Sequence, residues 1–221
     1  MKKNNNNLML LFMFFGVALV IANIIAPKLF LTGVTLFGRS VALTSGIIVF
    51  PVTFLITDII GEVWGKEEAQ RLVIFGFIVQ LFASVVILIA QLLPALSPDM
   101  QNAYMTVLGL NWLIMLGSLT AYSISQTWDV YVFNRVRNYF MARTGNRQLR
   151  FLWNNISTLS SQLIDSTVFI TIVFGFGFGW LFDPAFGIIA VILQITTQYI
   201  FKLFFALLDT PLFYFFTRNV E

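Results

Sequence analysis

Six long apolar stretches dominate the 221-residue sequence. Each approaches or exceeds the roughly 20 residues an α-helix needs to cross a bilayer's hydrocarbon core. They run over Leu8 to Ala26, about Val41 to Ile60, Leu72 to about Leu93, about Val107 to Phe133, about Asn155 to Leu181 and about Ala185 to Leu208. Together they absorb most of the chain and leave no room for a soluble domain. Composition agrees: 58% of residues are hydrophobic and 10% charged, against roughly 25% charged in a soluble domain. The expected fold class is an all-α integral membrane protein, a six-helix transmembrane bundle forming a single transmembrane domain over 1–221.

The first stretch follows Lys2 and Lys3 and could pass for a signal peptide. Its apolar run is longer than a signal's core and no A-x-A site closes it, so an uncleaved helix is expected. Orientation follows from the basic residues. With the N-terminus inside, cytoplasmic segments hold ten: Lys2, Lys3, Lys66, Arg71, Arg135, Arg137, Arg143, Arg147, Arg150 and Arg218. External segments hold two, Lys28 and Arg39. That bias places both termini in the cytoplasm. The basic run Asn134 to Arg150 carries five Arg and no acid. In a short loop between two spans it reads as a topology and headgroup anchor rather than a nucleic-acid surface.

Several chemistries are excluded. The chain has no His and no Cys, so Ser-His and Cys-His relays and the usual zinc sites are absent. The motifs of an intramembrane aspartyl protease do not occur. The four carboxylates in or bordering the spans, Asp58, Asp129, Asp165 and Asp209, fall on separate helices. Neither catalysis, nor a metal site, nor a cofactor is expected. Gly175-Phe176-Gly177-Phe178-Gly179 lies in an apolar helix, without the strand-to-helix context of a nucleotide loop. Gly175 and Gly179 are instead read as a G-x-x-x-G pair for close helix packing.

Polar residues inside the spans are more informative, because a mid-membrane charge costs roughly 2.5–3.5 kcal/mol on insertion scales. The fourth span places Ser118, Tyr122, Ser125 and Asp129 on one face, with Gln126 beside it. The fifth carries Asn154, Asn155, Thr158, Ser161, Gln162 and Asp165 within an arc of roughly 120°. The sixth has Gln194, Gln198 and Lys202 at i, i+4 and i+8. The second has Thr44, Ser45, Thr53, Thr57 and Asp58, with Pro51 to break its ladder. One stripe is ordinary interhelical glue. Four stripes, three with a carboxylate and one with a lysine, point to a shared polar cavity in which Lys202 would pair with Asp165 or Asp129. A Gln amide presents a donor and an acceptor side by side, and a carboxylate accepts two hydrogen bonds. Together they suit a planar amide-like edge such as that of a nucleobase, with Trp128, Trp153, Tyr122, Phe50 and Phe54 near enough to cover a ring face. The fourth and fifth spans also share a pattern, Ser125-Gln126-x-x-Asp129-x-x-Val132-Phe133 and Ser161-Gln162-x-x-Asp165-x-x-Val168-Phe169.

Three blocks carry a family resemblance. The first is Phe50-Pro51-Val52-Thr53-Phe54-Leu55-Ile56-Thr57-Asp58, continuing through Gly61-Glu62-Val63-Trp64-Gly65-Lys66 to Arg71. The second is Ala121-Tyr122-x-x-Ser125-Gln126-x-x-Asp129-Val130-x-Val132-Phe133-Asn134-Arg135-x-Arg137. The third is Leu152-Trp153-x-Asn155-x-Ser157-Thr158-x-x-Ser161-Gln162-x-x-Asp165-Ser166-x-x-Phe169. They resemble the queuosine precursor transporter family, also called vitamin uptake transporters. The resemblance implies a fold like the substrate-binding subunits of bacterial vitamin importers. It implies import of cyano- and aminomethyl-deazaguanine, or of queuine, across a bacterial cytoplasmic (inner) membrane. The alternative it leaves open is a binding subunit for a vitamin-like heterocycle that needs a separate ATPase module. The substrate-binding residues it implies are Asp58, Gln126, Asp129, Asn155, Thr158, Gln162, Asp165 and Lys202. Asn154 departs from the Arg often found there. The implied partners are a nucleobase-like small molecule and the lipid bilayer, with no nucleic acid. A homo-oligomer is compatible with the sequence.

Overall fold

The computed structural model describes residues 4–36, 39–144 and 150–217. Lys2, Lys3, Arg147 and Arg218 of the charge count lie outside them. Among the described residues, six helical segments are long and apolar enough to cross a membrane. They fall at the six places the sequence marks. The chain divides into two compact units, 1–115 with 200–221 and 116–199.

In the first unit, helix α1 spans Asn5–Ile25. The Asn4 side chain accepts from the Asn6 amide and caps it. Strands β1 (Leu29–Leu36) and β2 (Arg39–Thr44) follow and pair antiparallel. This corrects the expected second helix, which was to begin near Val41. A hairpin occupies that stretch. Its register slips between Leu31 and Thr35, where Gly33 takes φ +77° and the Thr32 hydroxyl donates to the Val41 carbonyl at 3.0 Å. A two-stranded hairpin leaves about half of its backbone groups facing outward, so it belongs where water can reach it rather than in the hydrocarbon core. After a 3-10 turn at Ser45–Ile48, helix α2 spans Phe50–Val63. Pro51 stands in its first turn, where a missing N–H is harmless. It starts the helix rather than breaking it.

Helix α3 spans Lys66–Leu92. Leu11, Phe15, Ile56, Ile59, Ile60, Val63 and Leu72 from α1, α2 and α3 form a buried apolar cluster. The outer face of α3 shows Phe75, Ile78, Phe82, Val85 and Ile89. Apolar side chains displayed so freely are the signature of a lipid-facing surface. Helix α4 (Pro98–Leu108) is capped by Ser97, with Pro98 in its first turn. Two glutamines tie it to α3: Gln91 Nε2 donates to the Leu108 carbonyl at 2.7 Å, and Gln101 Nε2 to the Gln91 carbonyl at 3.2 Å.

Helix α5 spans Asn111–Thr144, well past the expected end at Phe133. It keeps the exposed Arg135 and Arg137 on a helical extension. Helix α6 spans Arg150–Ile170 and continues as a π-helical segment over Thr171–Gly177. Helix α7 spans Gly187–Thr217. The glycine run is not a helix-crossing motif. A Cβ on Gly175 would meet Leu181 of the following turn at 3.1 Å, while Gly179 has φ +72° and open space around it. The close helix approach in this unit is at Gly117, where a Cβ would lie 2.7 Å from Val173 Cγ2.

Candidate functional site

In the second unit the polar stripes of α5 and α6 meet. Ser161 Oγ donates to Asp129 Oδ1 at 3.3 Å, and Trp128 Nε1 donates to Ser160 Oγ at 3.2 Å. These contacts fix the sense of the pair. Asp129 lies about 22 Å from the end of α5 and Ser161 about 16 Å from the start of α6 at 1.5 Å per residue. The six-residue step from Thr144 to Arg150 reaches about 20 Å at most. Only antiparallel helices can therefore touch there. The shared Ser-Gln-x-x-Asp pattern then has a structural reading: the last residue of one copy sits on the first residue of the other. The same register brings Ser125 level with Asp165, as a local two-fold axis between the helices would.

Helix α6 has two working faces. Ser157 and Ser161 are buried on the side of Asp129. On the opposite side, Leu159, Gln162 and Ser166 fall within an arc of about 60° at 3.6 residues per turn. That side meets α7, because Tyr199 Oη donates to the Leu159 carbonyl at 3.2 Å. Buried on α7 are Gln194 and Gln198. Gln162 Oε1, Ser166 Oγ, Gln194 Nε2 and Gln198 Oε1 are all buried polar atoms without a hydrogen-bond partner. Each such atom costs about 1–3 kcal/mol, so four in one unit need an explanation.

Gln126, Asn155 and Thr158 are exposed, while Asp129, Gln162 and Asp165 are half-buried. Asp129 and Gln162 use opposite sides of α6. In the first unit, Asp58 is exposed on α2. Thr53 and Thr57 donate back to the Phe50 and Phe54 carbonyls of their own helix. Lys202 is buried, at 4% exposure, with its Nζ 4.6 Å from the centre of the Phe50 ring. Phe54 lies against Phe50 with ring centres 4.2 Å apart.

The sequence reading missed one buried polar group in the first unit. Gln80 Nε2 donates to Ser84 Oγ at 3.3 Å, and Ser84 Oγ donates to Asn111 Oδ1 at 3.0 Å. Gln80 and Ser84 stand at i and i+4 on α3, a stripe too short to stand out in an otherwise apolar helix. Ser166 was also missed as a buried polar side chain. Gln194 and Gln198 were seen as a stripe, but their burial and unpaired atoms were not.

A family model described as "Putative vitamin uptake transporter" matches residues 44–216. This chain belongs to the vitamin uptake transporter family. The match covers the hairpin's last residue and all but the final residue of the stretch from there to the end of α7. The transporter is also 36% identical over 167 residues to the "Probable queuosine precursor transporter" of Bacillus subtilis (strain 168), covering 74% of this chain and 68% of the relative. No solved structure matches. A multi-pass membrane transporter is consistent with both findings and with the six spans.

Proposed function

We propose that this transporter imports queuosine precursors, the cyano- and aminomethyl-deazaguanine bases or queuine, across a bacterial cytoplasmic membrane. Both termini lie in the cytoplasm and the six spans form one transmembrane domain. The transporter performs no catalysis. The relationship to the Bacillus subtilis protein, which extends over 74% of the chain, carries this reading. Asp58 and Lys202 in the first unit, and Gln126, Asp129, Asn155, Thr158, Gln162 and Asp165 in the second, are the polar side chains that serve the substrate. Bases with lactam and amine edges suit carboxamides and carboxylates. The test is uptake of labelled cyano-deazaguanine in cells unable to make it, with queuosine scored in tRNA. Gain of queuosine when the transporter is expressed is the expected result. No gain, with the protein present in the membrane, would overturn the substrate.

The family description, vitamin uptake, favours one second reading: a substrate-binding subunit for a vitamin-like heterocycle that works with a separate ATPase. Stoichiometric co-purification of an ATPase would select it.

A further inference from the structure

Tyr199 and Leu159 give a common reference level on α7 and α6, and the short link Phe178–Phe186 makes these helices antiparallel by the same limit of chain reach. Gln198 and Gln194 lie about 1.5 and 7.5 Å from that level toward the link. Gln162 and Ser166 lie about 4.5 and 10.5 Å from it in the same direction. Four polar side chains thus occupy one slab of the second unit. Ser166, Gln194 and Gln198 are 0%, 4% and 6% exposed, and each, like Gln162, has a buried polar atom with no partner. Interhelical glue looks different: Gln80 and Asn111 of the first unit also leave one atom each unpaired, but both bond to Ser84. Three carboxamides at one level, each with an unpaired buried atom, are groups kept for something else.

We infer that Gln162, Ser166, Gln194 and Gln198 form the specificity-determining part of the substrate site, reading the hydrogen-bonding edge of a planar heterocycle whose ring is uncharged. This deepens the importer reading and rests on it. A carboxamide can turn either its oxygen or its nitrogen toward a ligand. Three of them with a hydroxyl can therefore match an edge that mixes donors and acceptors, such as the carbonyl, lactam N–H and exocyclic amine of a deazaguanine. The set carries no formal charge, so it has no cation to hold an anionic substrate. An analogue lacking one edge group would leave a site atom unpaired and be rejected.

The test uses the full-length transporter in cells and, purified, in lipid nanodiscs. Uptake of cyano-deazaguanine is compared with uptake of its analogue lacking the exocyclic amine. The wild type should prefer the former by about tenfold or more, the scale of one lost hydrogen bond in a buried site. Gln194→Leu and Gln198→Leu should erase most of that preference. Thr196→Val, on an exposed position that donates only to its own helix at Ile192, should keep it. In nanodiscs without ligand, the two Leu variants should melt at or above the wild-type temperature, because each removes a buried unpaired polar atom. An unchanged preference in both Leu variants would overturn the inference, whatever their stability. If the wild type takes up neither base, the importer reading fails, and the melting arm decides this one alone. A melting temperature at or above wild type then keeps the four groups as a ligand site, and a lowered one makes them structural.

Discussion

Ser161 has one hydroxyl hydrogen and two acceptors within reach. It lies 3.0 Å from the Thr158 carbonyl of its own helix and 3.3 Å from Asp129 Oδ1. The shorter contact takes the larger share, so Asp129 is only lightly held. A carboxylate offers about four lone-pair sites, and one shared hydrogen leaves most of them free. Two substitutions should therefore part company. Ser161→Ala should lower stability by about 0.5–1.5 kcal/mol and leave uptake near wild type. Asp129→Asn, which preserves shape and removes charge, should cut uptake at least about tenfold while membrane levels hold. Equal effects of the two on uptake would remove Asp129 from substrate binding. Lys202 presents a different case. The spacing of the sixth span marked it as the cation well inside a helix, but could not show that its ammonium rests on Phe50. A desolvated cation on an aromatic face is worth about 2 kcal/mol. Phe50→Leu should accordingly destabilise the protein, measured by thermal unfolding in detergent, and Phe50→Tyr should not. Identity and spacing singled out the charged residues proposed for the site. Partner choice was not legible, since an amide at a given helical position can face glue, lipid or ligand.

Element boundaries show where the sequence misleads and why. Span length is a strong signal because the bilayer dictates it, and all six spans stand where the apolar runs are. The entry to the second span was misplaced because Val41, Leu43 and the residues after Ser45 form one apolar run, and a twenty-residue window cannot see that its first part is extended. The strand signal was there in Leu29–Leu36 and Arg39–Thr44, rich in β-branched residues and leucine, and Pro51 marked the true helix start. Gly46 shows what this element order demands. A Cβ there would sit 2.6 Å from the Ala22 carbonyl oxygen of α1, a backbone atom that cannot swing aside. Gly46→Ala should destabilise by about 1–3 kcal/mol, the range for overpacking, read as a lower unfolding temperature. Gly117→Ala would meet Val173 Cγ2 at 2.7 Å and Ile172 Cγ2 at 3.5 Å, both on β-branched side chains with few rotamers, and should cost a similar amount. The repeated Ser-Gln-x-x-Asp pattern was visible too, but its meaning needed the antiparallel register of α5 and α6. If the two copies are equivalent, Ser125→Ala should match Ser161→Ala in stability.

Orientation belongs to the whole chain, and the charge count makes a definite forecast about it. Ten basic residues on one side against two on the other is a large imbalance for short loops, the setting in which such charges govern insertion. The structure adds places to test it. Val34 in the hairpin is 53% exposed and lies between the first and second spans, on the side predicted to be external. Arg135 is exposed on the extension of α5, between the fourth and fifth spans, on the side predicted to be cytoplasmic. The chain has no cysteine, so a single introduced thiol can be labelled without background. A membrane-impermeant maleimide should label Val34→Cys in intact spheroplasts and Arg135→Cys only after lysis. The reverse pattern would put both termini outside and turn the proposed import into export. Labelling of both in intact spheroplasts would mean a mixed orientation. The anchor would then be shown to be weak, although Asn134 to Arg150 carries five arginines and no acid. The expected outcome is one orientation. Reversing it would bring those five arginines across the membrane, at roughly 2.5 kcal/mol or more for each one that passes its centre, while the opposing side offers only Lys28 and Arg39.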